Sequence, residues 1–343
     1  MIKIEYLEEL EDVYDITVED NHNFYANDIL VHNCIEILLS VAPLEHLYDE
    51  KGEIALCILT NTNAGKIKNL NELESLTYKI VKGLDNLIDI QEYPLPAAKN
   101  STINARYLGV GVSDWMHYLT KHKVRYNTQE ALDLAEEYAE YQQFYLLKAS
   151  NRLAKERGEA PWFRTRSKYA DGWLPNDGNW RFIPKEQWEE LRQDIIKYGL
   201  RNLTLSAIPP AGTSSDVSNS VSGLDIPRDF ITTKKSKYGP VKQLVPNFSK
   251  GSSYYTLAEE VNNISYLNMV SKFQLYDDQS ISTNIYFSQK DLNEDGKFPI
   301  KKLIKAVIHA QKIGMKSLYY CNWISPDEED TNAPECEGGG CSV

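Results

Sequence analysis

The stretch Val31-His32-Asn33-Cys34-Ile35-Glu36 divides the chain into two unlike parts. Read leftwards, it carries the chemistry of a backbone that cuts itself. Asn33 can cyclise through its side-chain amide onto its own carbonyl, and His32 can transfer the protons. Cys34 then supplies a thiol one residue downstream, a better nucleophile near neutral pH than a hydroxyl. Three such residues alone also arise by chance. Read rightwards, Cys34-Ile35-Glu36-Ile37-Leu38-Leu39 is an apolar run interrupted by one acid. On a strand, a carboxylate two residues after a thiol shares its face.

The residues before the junction add weight to the first reading. Val13-Tyr14-Asp15-Ile16-Thr17-Val18 alternates as a strand does, and Asn21-His22-Asn23-Phe24-Tyr25 follows a turn at Glu19-Asp20. Ala26-Asn27-Asp28 makes a second turn before the short apolar strand Ile29-Leu30-Val31. Residues 1–33 resemble the C-terminal splicing region of an intein. That resemblance implies splicing roles for Asp15, His22, His32 and Asn33, with Cys34 as the downstream nucleophile. Residues 1–12 hold no Cys or Ser for the N-terminal nucleophile of a complete intein, and the chain begins at Met1. The expectation is the C-terminal half of a split intein, short and all-β, which requires a separate N-terminal half.

The remaining length allows one large domain or two ordinary ones. A formal charge of −12 argues against a nucleic-acid-binding surface. No apolar run is long enough to cross a bilayer and Met1 opens no signal-peptide pattern, so a cytoplasmic protein with no membrane partner is expected. Five cysteines, an odd number, do not read as a secreted disulfide framework.

After the junction, strand-like and helix-like segments alternate. Residues 52–60 read as a strand carrying Cys57, for which a buried core cysteine is the plain alternative. A helix is expected over residues 71–89, and a second, long one from Asn127, with Glu130 as its capping partner, to Gly158. Residues 164–183 read as an irregular surface loop. Leu203-Thr204-Leu205-Ser206-Ala207-Ile208 reads as a strand running into Pro209-Pro210-Ala211-Gly212-Thr213-Ser214-Ser215. Such a strand, small-residue turn and helix start can cradle an anion, although many ordinary turns share that composition. Residues 222–256 read as exposed loops and hairpins, 299–313 as a helix capped by Gly314, and Lys316-Ser317-Leu318-Tyr319-Tyr320-Cys321-Asn322 as a strand. This order argues for an α/β fold with mostly parallel strands.

Residues 325–343 change character: Asp, Glu, Asn, Pro and Gly dominate, and a flexible tail is expected. It ends in Cys336-Glu337-Gly338-Gly339-Gly340-Cys341. Two thiols on a glycine-rich arm can close a disulfide with little strain, whereas two thiolates without further ligands make a poor zinc site.

Taken together, residues 34–343 resemble the C-terminal part of the class I ribonucleotide reductase large subunit. The resemblance is carried by Cys34-Ile35-Glu36-Ile37, Gly52-Glu53-Ile54-Ala55-Leu56-Cys57, Tyr93-Pro94-Leu95-Pro96-Ala97-Ala98-Lys99 and Gly199-Leu200-Arg201-Asn202-Leu203-Thr204. Asp278-Gln279-Ser280-Ile281-Ser282, Leu318-Tyr319-Tyr320 and the terminal cysteine pair complete it. It implies that Cys34 becomes the thiyl radical that abstracts the 3′ hydrogen and that Glu36 is the general base for the 3′ hydroxyl. Cys57 becomes half of the reducing dithiol, and Tyr319 and Tyr320 the last radical relay. Gly212, Thr213 and Ser214 would hold a ribonucleoside diphosphate, and Cys336 and Cys341 would re-reduce the site and pass the disulfide to thioredoxin or glutaredoxin.

The family fold implied is a ten-stranded α/β barrel, of which residues 34–324 would supply the C-terminal portion. No cofactor is expected on this chain. The radical would come from a metal-containing small subunit, and allosteric nucleotides would bind upstream. The cysteine partner of Cys57 is not in this sequence, and Cys321 follows the tyrosines with no role implied. The expected partners are an N-terminal intein–reductase fragment, the small subunit and, after joining, a second large subunit. The other readings are a splicing element with a non-functional reductase remnant and a stand-alone thiol redox protein.

Overall fold

The computed structural model describes residues 23–26, 29–32, 35–236 and 239–324, without the side chains of 23–32, 213, 234–236 and 239–241. Two short strands come first, β1 (Asn23–Ala26) and β2 (Ile29–His32), paired antiparallel with Asn23 opposite His32. Asn27 and Asp28, where a turn is expected, lie outside the described residues.

The next elements are β3 (Ile58–Asn63), α1 (Glu72–Ile90), α2 (Pro96–Ala105), β4 (Leu108–Ser113), α3 (Trp115–Lys121) and α4 (Gln129–Arg157). Then come α5 (Phe163–Arg166), α6 (Lys185–Tyr198), α7 (Gly212–Ser218) and the hairpin of β5 (Ile231–Ser236) and β6 (Gly239–Leu244). The described chain closes with α8 (Phe248–Gly251), α9 (Asn263–Gln274), β7 (Ile285–Ser288), α10 (Ile300–Lys312) and β8 (Cys321–Ile324).

The strands that matter for function are parallel. β3 pairs with β4, Ile58 opposite Leu108, and β7 pairs with β8, Ile285 opposite Cys321. Between these pairs runs residues 203–208, which lacks a regular ladder but is tied on both sides. Leu108 N donates to Thr204 O and Val110 N to Leu205 O, the half-step between them marking a bulge. Ile208 N donates to Ser280 O and Ser282 N to Ile208 O. Thus 58–63, 108–113, 203–208, 279–288 and 319–324 follow one another as an arc of parallel segments. Among the described residues the arc does not close into a barrel. The expected α/β class holds, and helices cover its outer side.

β4 shows how the arc is packed. Its backbone alternates faces: Leu108, Val110 and Val112 enter the apolar layer built on α1, α4 and α6, with Trp115, Tyr138, Phe144, Leu146 and Trp188. Its glycines face the other way. A Cβ at Gly109 would lie 2.9 Å from Cys57 Sγ, and one at Gly111 would lie 2.3 Å from Asn61 Oδ1 and 2.8 Å from Ala207 O. Glycine is required here because backbone and side chains of neighbouring segments occupy the space a side chain would need. Cys57, Leu59 and Asn61 therefore line the concave side of the arc with Gly109, Gly111 and Ala207.

Several expectations are corrected. Strand β3 begins after Cys57 rather than at Gly52, and Ile35 and Glu36 form a bend rather than a strand. The long helix is capped by Thr128, whose hydroxyl accepts from Ala131 N, rather than by Asn127. Residues 164–183 are not a surface excursion: Tyr169, Leu174 and Ile183 are buried, and Arg166 lies 3.6 Å over the Trp162 ring. Within 222–256, Leu224, Ile226, Val245 and Tyr255 are core residues, so only part of that segment is exposed. The strand at 316–322 starts later, at Cys321, and its partner along the arc begins at Ile285.

Candidate active site

Glu36 is completely buried on the concave side of the arc. Its backbone carbonyl accepts from Ser280 N at 2.9 Å, and its Oε2 accepts from the Ser282 hydroxyl at 2.6 Å. Its other carboxylate oxygen, Oε1, is buried without a hydrogen-bond partner among the described residues. A buried carboxylate oxygen left without a donor is costly, and it is the form a base takes when its partner is a substrate hydroxyl.

Cys57 sits a short way from Glu36. Burial pushes its thiol up to about 12, and the charges of Glu36 and Asp277 push in the same direction, while a hydrogen bond from Gln279 opposes them. The thiol is therefore kept protonated near neutral pH, as a hydrogen donor must be. Gln279 Nε2 lies 3.4 Å from Cys57 Sγ, and Gln279 Oε1 accepts from Leu38 N at 3.2 Å. One side chain thus bridges the thiol and the segment that follows Glu36.

Tyr319 and Tyr320 stand at the far end of the arc. In a regular strand adjacent side chains point to opposite faces. Here the ring centroids are 3.8 Å apart and the Tyr319 hydroxyl donates to the Tyr320 hydroxyl at 2.9 Å. The backbone at 315–320 is irregular, which allows both rings onto one side. They line a pocket with Gly212, Ser215, Asp225 and Asn284. A narrower pocket, lined by Pro210, Asp225, Ser282 and Asn284, continues it towards the Glu36 contact.

At the floor of both pockets Asp225 accepts from Tyr266 Oη at 3.1 Å, Tyr286 Oη at 3.0 Å and Asn284 Nδ2 at 3.2 Å. Burial nevertheless holds its carboxyl above the usual range.

The turn after Ile208 enters α7 as expected. Ala211 N donates to the Ser222 hydroxyl at 3.1 Å, Gly212 is buried, and Ser214 is exposed. Thr213 belongs to α7, but its side chain is not among those described. Asp15, His22, Asn33, Cys34, Cys336 and Cys341 lie outside the described residues, and of His32 only the backbone in β2 is described. Cys321 is a free, exposed thiol at the start of β8. Among the described residues no group of three or more His, Cys, Asp or Glu could hold a metal ion, and no helix is long and apolar enough to cross a membrane.

Glu36, Cys57, Gly212, Tyr319 and Tyr320 all face the concave side or the pockets that open from it, whereas the exposed Ser214 lines neither pocket. Ser282, Gln279, Asp225 and Asn61 carry no role in the sequence reading. The first two lie inside the quoted segment Asp278-Gln279-Ser280-Ile281-Ser282, so a signal existed without a role attached. Asp225 and Asn61 sit in unremarkable sequence and become visible only through burial and hydrogen bonding.

A family model described as "Ribonucleotide reductase, barrel domain" matches residues 13–321. The match begins inside the first 33 residues and does not mark a boundary at the Asn33–Cys34 bond. The chain is 42% identical over 320 residues to the ribonucleoside-diphosphate reductase subunit alpha of Haemophilus influenzae, covering 90% of this chain and 42% of that protein. It is 42% identical over 271 residues to ribonucleoside-diphosphate reductase 1 subunit alpha of Escherichia coli, covering 75% of this chain and 35% of that one. Its identity to the ribonucleoside-diphosphate reductase subunit alpha of Enterobacteria phage T4 is 34% over 304 residues, 84% of this chain and 39% of the phage protein. The chain spans about two fifths of the length of these relatives. With a family match running over most of its length, and with the half-buried Cys57 thiol and the buried Glu36 carboxylate on one concave face, the chain belongs to the ribonucleotide reductase barrel-domain family.

Proposed function

We infer that this chain is the C-terminal part of a ribonucleoside-diphosphate reductase alpha subunit, and that it reduces ribonucleotides to deoxyribonucleotides once joined to an upstream fragment. The observation that carries this reading is the buried Glu36 carboxylate, one oxygen held by Ser282 and the other without a partner among the described residues.

In this reading the Cys34 thiyl radical takes the 3′ hydrogen of the ribose as Glu36 takes the proton of the 3′ hydroxyl. The 2′ oxygen then leaves as water. Cys57 and a second cysteine on the upstream fragment give up two hydrogens and end as a disulfide, and Cys34 returns its hydrogen to the 3′ carbon, which restores the thiyl radical. The Cys57 thiol suits this because its surroundings keep it protonated. The radical is supplied by a metal-containing small subunit and reaches the site through Tyr319 and Tyr320. Their hydroxyl–hydroxyl contact supports the concerted movement of a proton with an electron. The diphosphate lies at the turn of Gly212, Thr213 and Ser214. Cys336 and Cys341, in the C-terminal segment 325–343, re-reduce the disulfide and are themselves reduced by thioredoxin or glutaredoxin. A closed ten-stranded barrel and allosteric nucleotide sites belong to the joined protein, which functions as a dimer.

Residues 1–33 are the C-terminal half of a split intein in this reading. It is supported by Asp15, His22, His32, Asn33 and Cys34 in the order such chemistry uses, and by the antiparallel pairing of β1 with β2 just before the junction. Cys34 then acts twice, first accepting the upstream segment as a thioester and later as the radical.

Intact mass spectrometry of this chain mixed with its upstream partner tests both parts. A ligated product containing residues 34–343 and a released 1–33 peptide are expected, with ribonucleoside-diphosphate reduction by that product and the small subunit. A chain that stays full length refutes the splicing reading, and a ligated product without activity refutes the reductase reading.

A further inference from the structure

The Gln279 side chain joins four separate parts of the site. It is fully buried, and its Nε2 lies 3.1 Å from Leu108 O, 3.4 Å from Cys57 Sγ and 3.4 Å from Thr204 Oγ1. Its Oε1 accepts from Leu38 N at 3.2 Å. The backbone of Gln279 is itself pinned: its N–H donates to Ser206 O at 3.2 Å, and its carbonyl accepts from Lys316 Nζ at 2.5 Å and Gln274 Nε2 at 3.3 Å. The amide therefore cannot swing away from the sulfur without breaking contacts on several segments.

A primary amide has two N–H groups. Leu108 O takes the shorter contact, and the second N–H is left for the sulfur and the Thr204 hydroxyl. A thiol is a weak acceptor and a thiolate a strong one, so the Gln279 contact strengthens as charge develops on Cys57. The other neighbours of the sulfur do not help. Leu59 and Ala207, which pack with it around Gly109, are uncharged. Glu36, on the loop, and Asp277, two residues before Gln279, are the charged groups that face it, and both disfavour a thiolate.

Resting on the reductase reading above, we propose that Gln279 is the positioning residue that makes Cys57 the leaving sulfur when the active-site disulfide is re-reduced. A reducing dithiol attacks as its thiolate on the sulfur of the upstream partner cysteine. A bond forms between these two sulfurs, and the bond from the partner to Cys57 breaks. Cys57 leaves with the electron pair, held by the Gln279 N–H, and then takes a proton. The second thiolate of the dithiol next attacks its own first sulfur, the partner cysteine leaves and is protonated, and the dithiol departs as a disulfide. Two cysteines are reduced and one dithiol is oxidised. The order of attack follows from which leaving group is stabilised.

Two variants separate the donor from the rest of the side chain. Gln279→Met keeps volume and loses all hydrogen bonding, and Gln279→Leu removes the donor at similar volume without placing a further charge beside the sulfur. In the full chain, modification of Cys57 by methyl methanethiosulfonate is followed by peptide mass spectrometry between pH 7 and 9. Both variants are expected to react about tenfold more slowly than the native chain at each pH, because less thiolate is present. In the joined protein, re-reduction of the oxidised site by dithiothreitol is expected to slow by a similar factor. If the Met variant does not fold by circular dichroism, the Leu variant decides. Native rates of modification, or slowed modification with native rates of re-reduction, overturn the proposal. A joined native protein without reductase activity overturns the reductase reading and the proposal with it, and it does so without altering the modification result.

Discussion

Ser282 donates its hydroxyl to Glu36 Oε2 at 2.6 Å, joining residues 246 positions apart in the sequence. The two segments are also locked by their backbones, because Ser280 N donates to Glu36 O. The carboxylate is thus aimed by the segment 279–284 that leads into β7 rather than by its own loop. Among the described residues this arrangement leaves Oε1 without a hydrogen-bond donor.

On the proposed reading, in which Glu36 is the base, removing it should cost much more than removing its support. Glu36→Gln keeps the size of the side chain and the contact with Ser282 but cannot take a proton. In the joined protein with its small subunit, deoxyribonucleotide formation is expected to fall by about 10²- to 10⁴-fold. A rate within threefold of native would remove Glu36 from the reaction.

Ser282→Ala leaves the carboxylate in place and unsupported. Loss of a hydrogen bond to a charged group is worth about 1.5–3 kcal/mol, so kcat is expected to drop by roughly 10- to 100-fold with KM little changed. Steady-state kinetics at saturating substrate provide the measurement. A change confined to KM would show that Ser282 binds substrate instead.

The tyrosine pair predicts a different signature. Tyr320→Phe preserves the ring but removes the hydroxyl that accepts from Tyr319. Turnover by the joined protein should be lost, while dithiothreitol still re-reduces its oxidised disulfide at the native rate. Retained turnover would exclude this pair from the radical path.

Gly111→Ala tests the packing of the concave face. Its Cβ would meet Asn61 Oδ1 at 2.3 Å, Ala207 O at 2.8 Å and Pro209 Cδ at 2.9 Å. Two of these belong to a neighbouring segment's backbone or ring and cannot simply rotate away. A loss of about 1–3 kcal/mol in urea unfolding is expected. A neutral effect would mean that segment 203–209 yields easily.

Cys57 gives a pH test with a definite sign. Its folded pKa is raised from 9.0 to about 12, so between these values the folded state binds more protons than the unfolded one. Stability must then fall as pH rises through that window, by up to about 1.4 kcal/mol per pH unit. Cys57→Ser should flatten the dependence of the urea midpoint on pH above 9. An equal slope in both proteins would mean that the thiol is not desolvated.

Much of the local structure was legible in the sequence. The helix expected at 71–89 is observed as Glu72–Ile90, and that expected at 299–313 as Ile300–Lys312, because each carries a long apolar stripe at helical spacing. The order of strands and helices was enough for the α/β class. Leu108–Ser113 was not found, although it is a central strand. Glycine at alternate positions reads as a weak strand, and its reason is the neighbouring Cys57, Asn61 and Ala207. Cys57, Glu36 and the tyrosines stood out because thiols, acids and paired phenols are few and chemically marked.

What the sequence determined by itself was therefore the inventory: which segments are helical, which side chains carry chemistry, and in what order they come. Local periodicity and residue type encode these within a few residues. Tertiary structure alone decided the geometry of the site. Ser282 could be matched to Glu36, and Gln279 to Cys57, only once 203–208 had brought β4 and 279–288 together. Those partners lie more than 200 residues apart, and hydrogen bonds across such a separation leave no period in the chain.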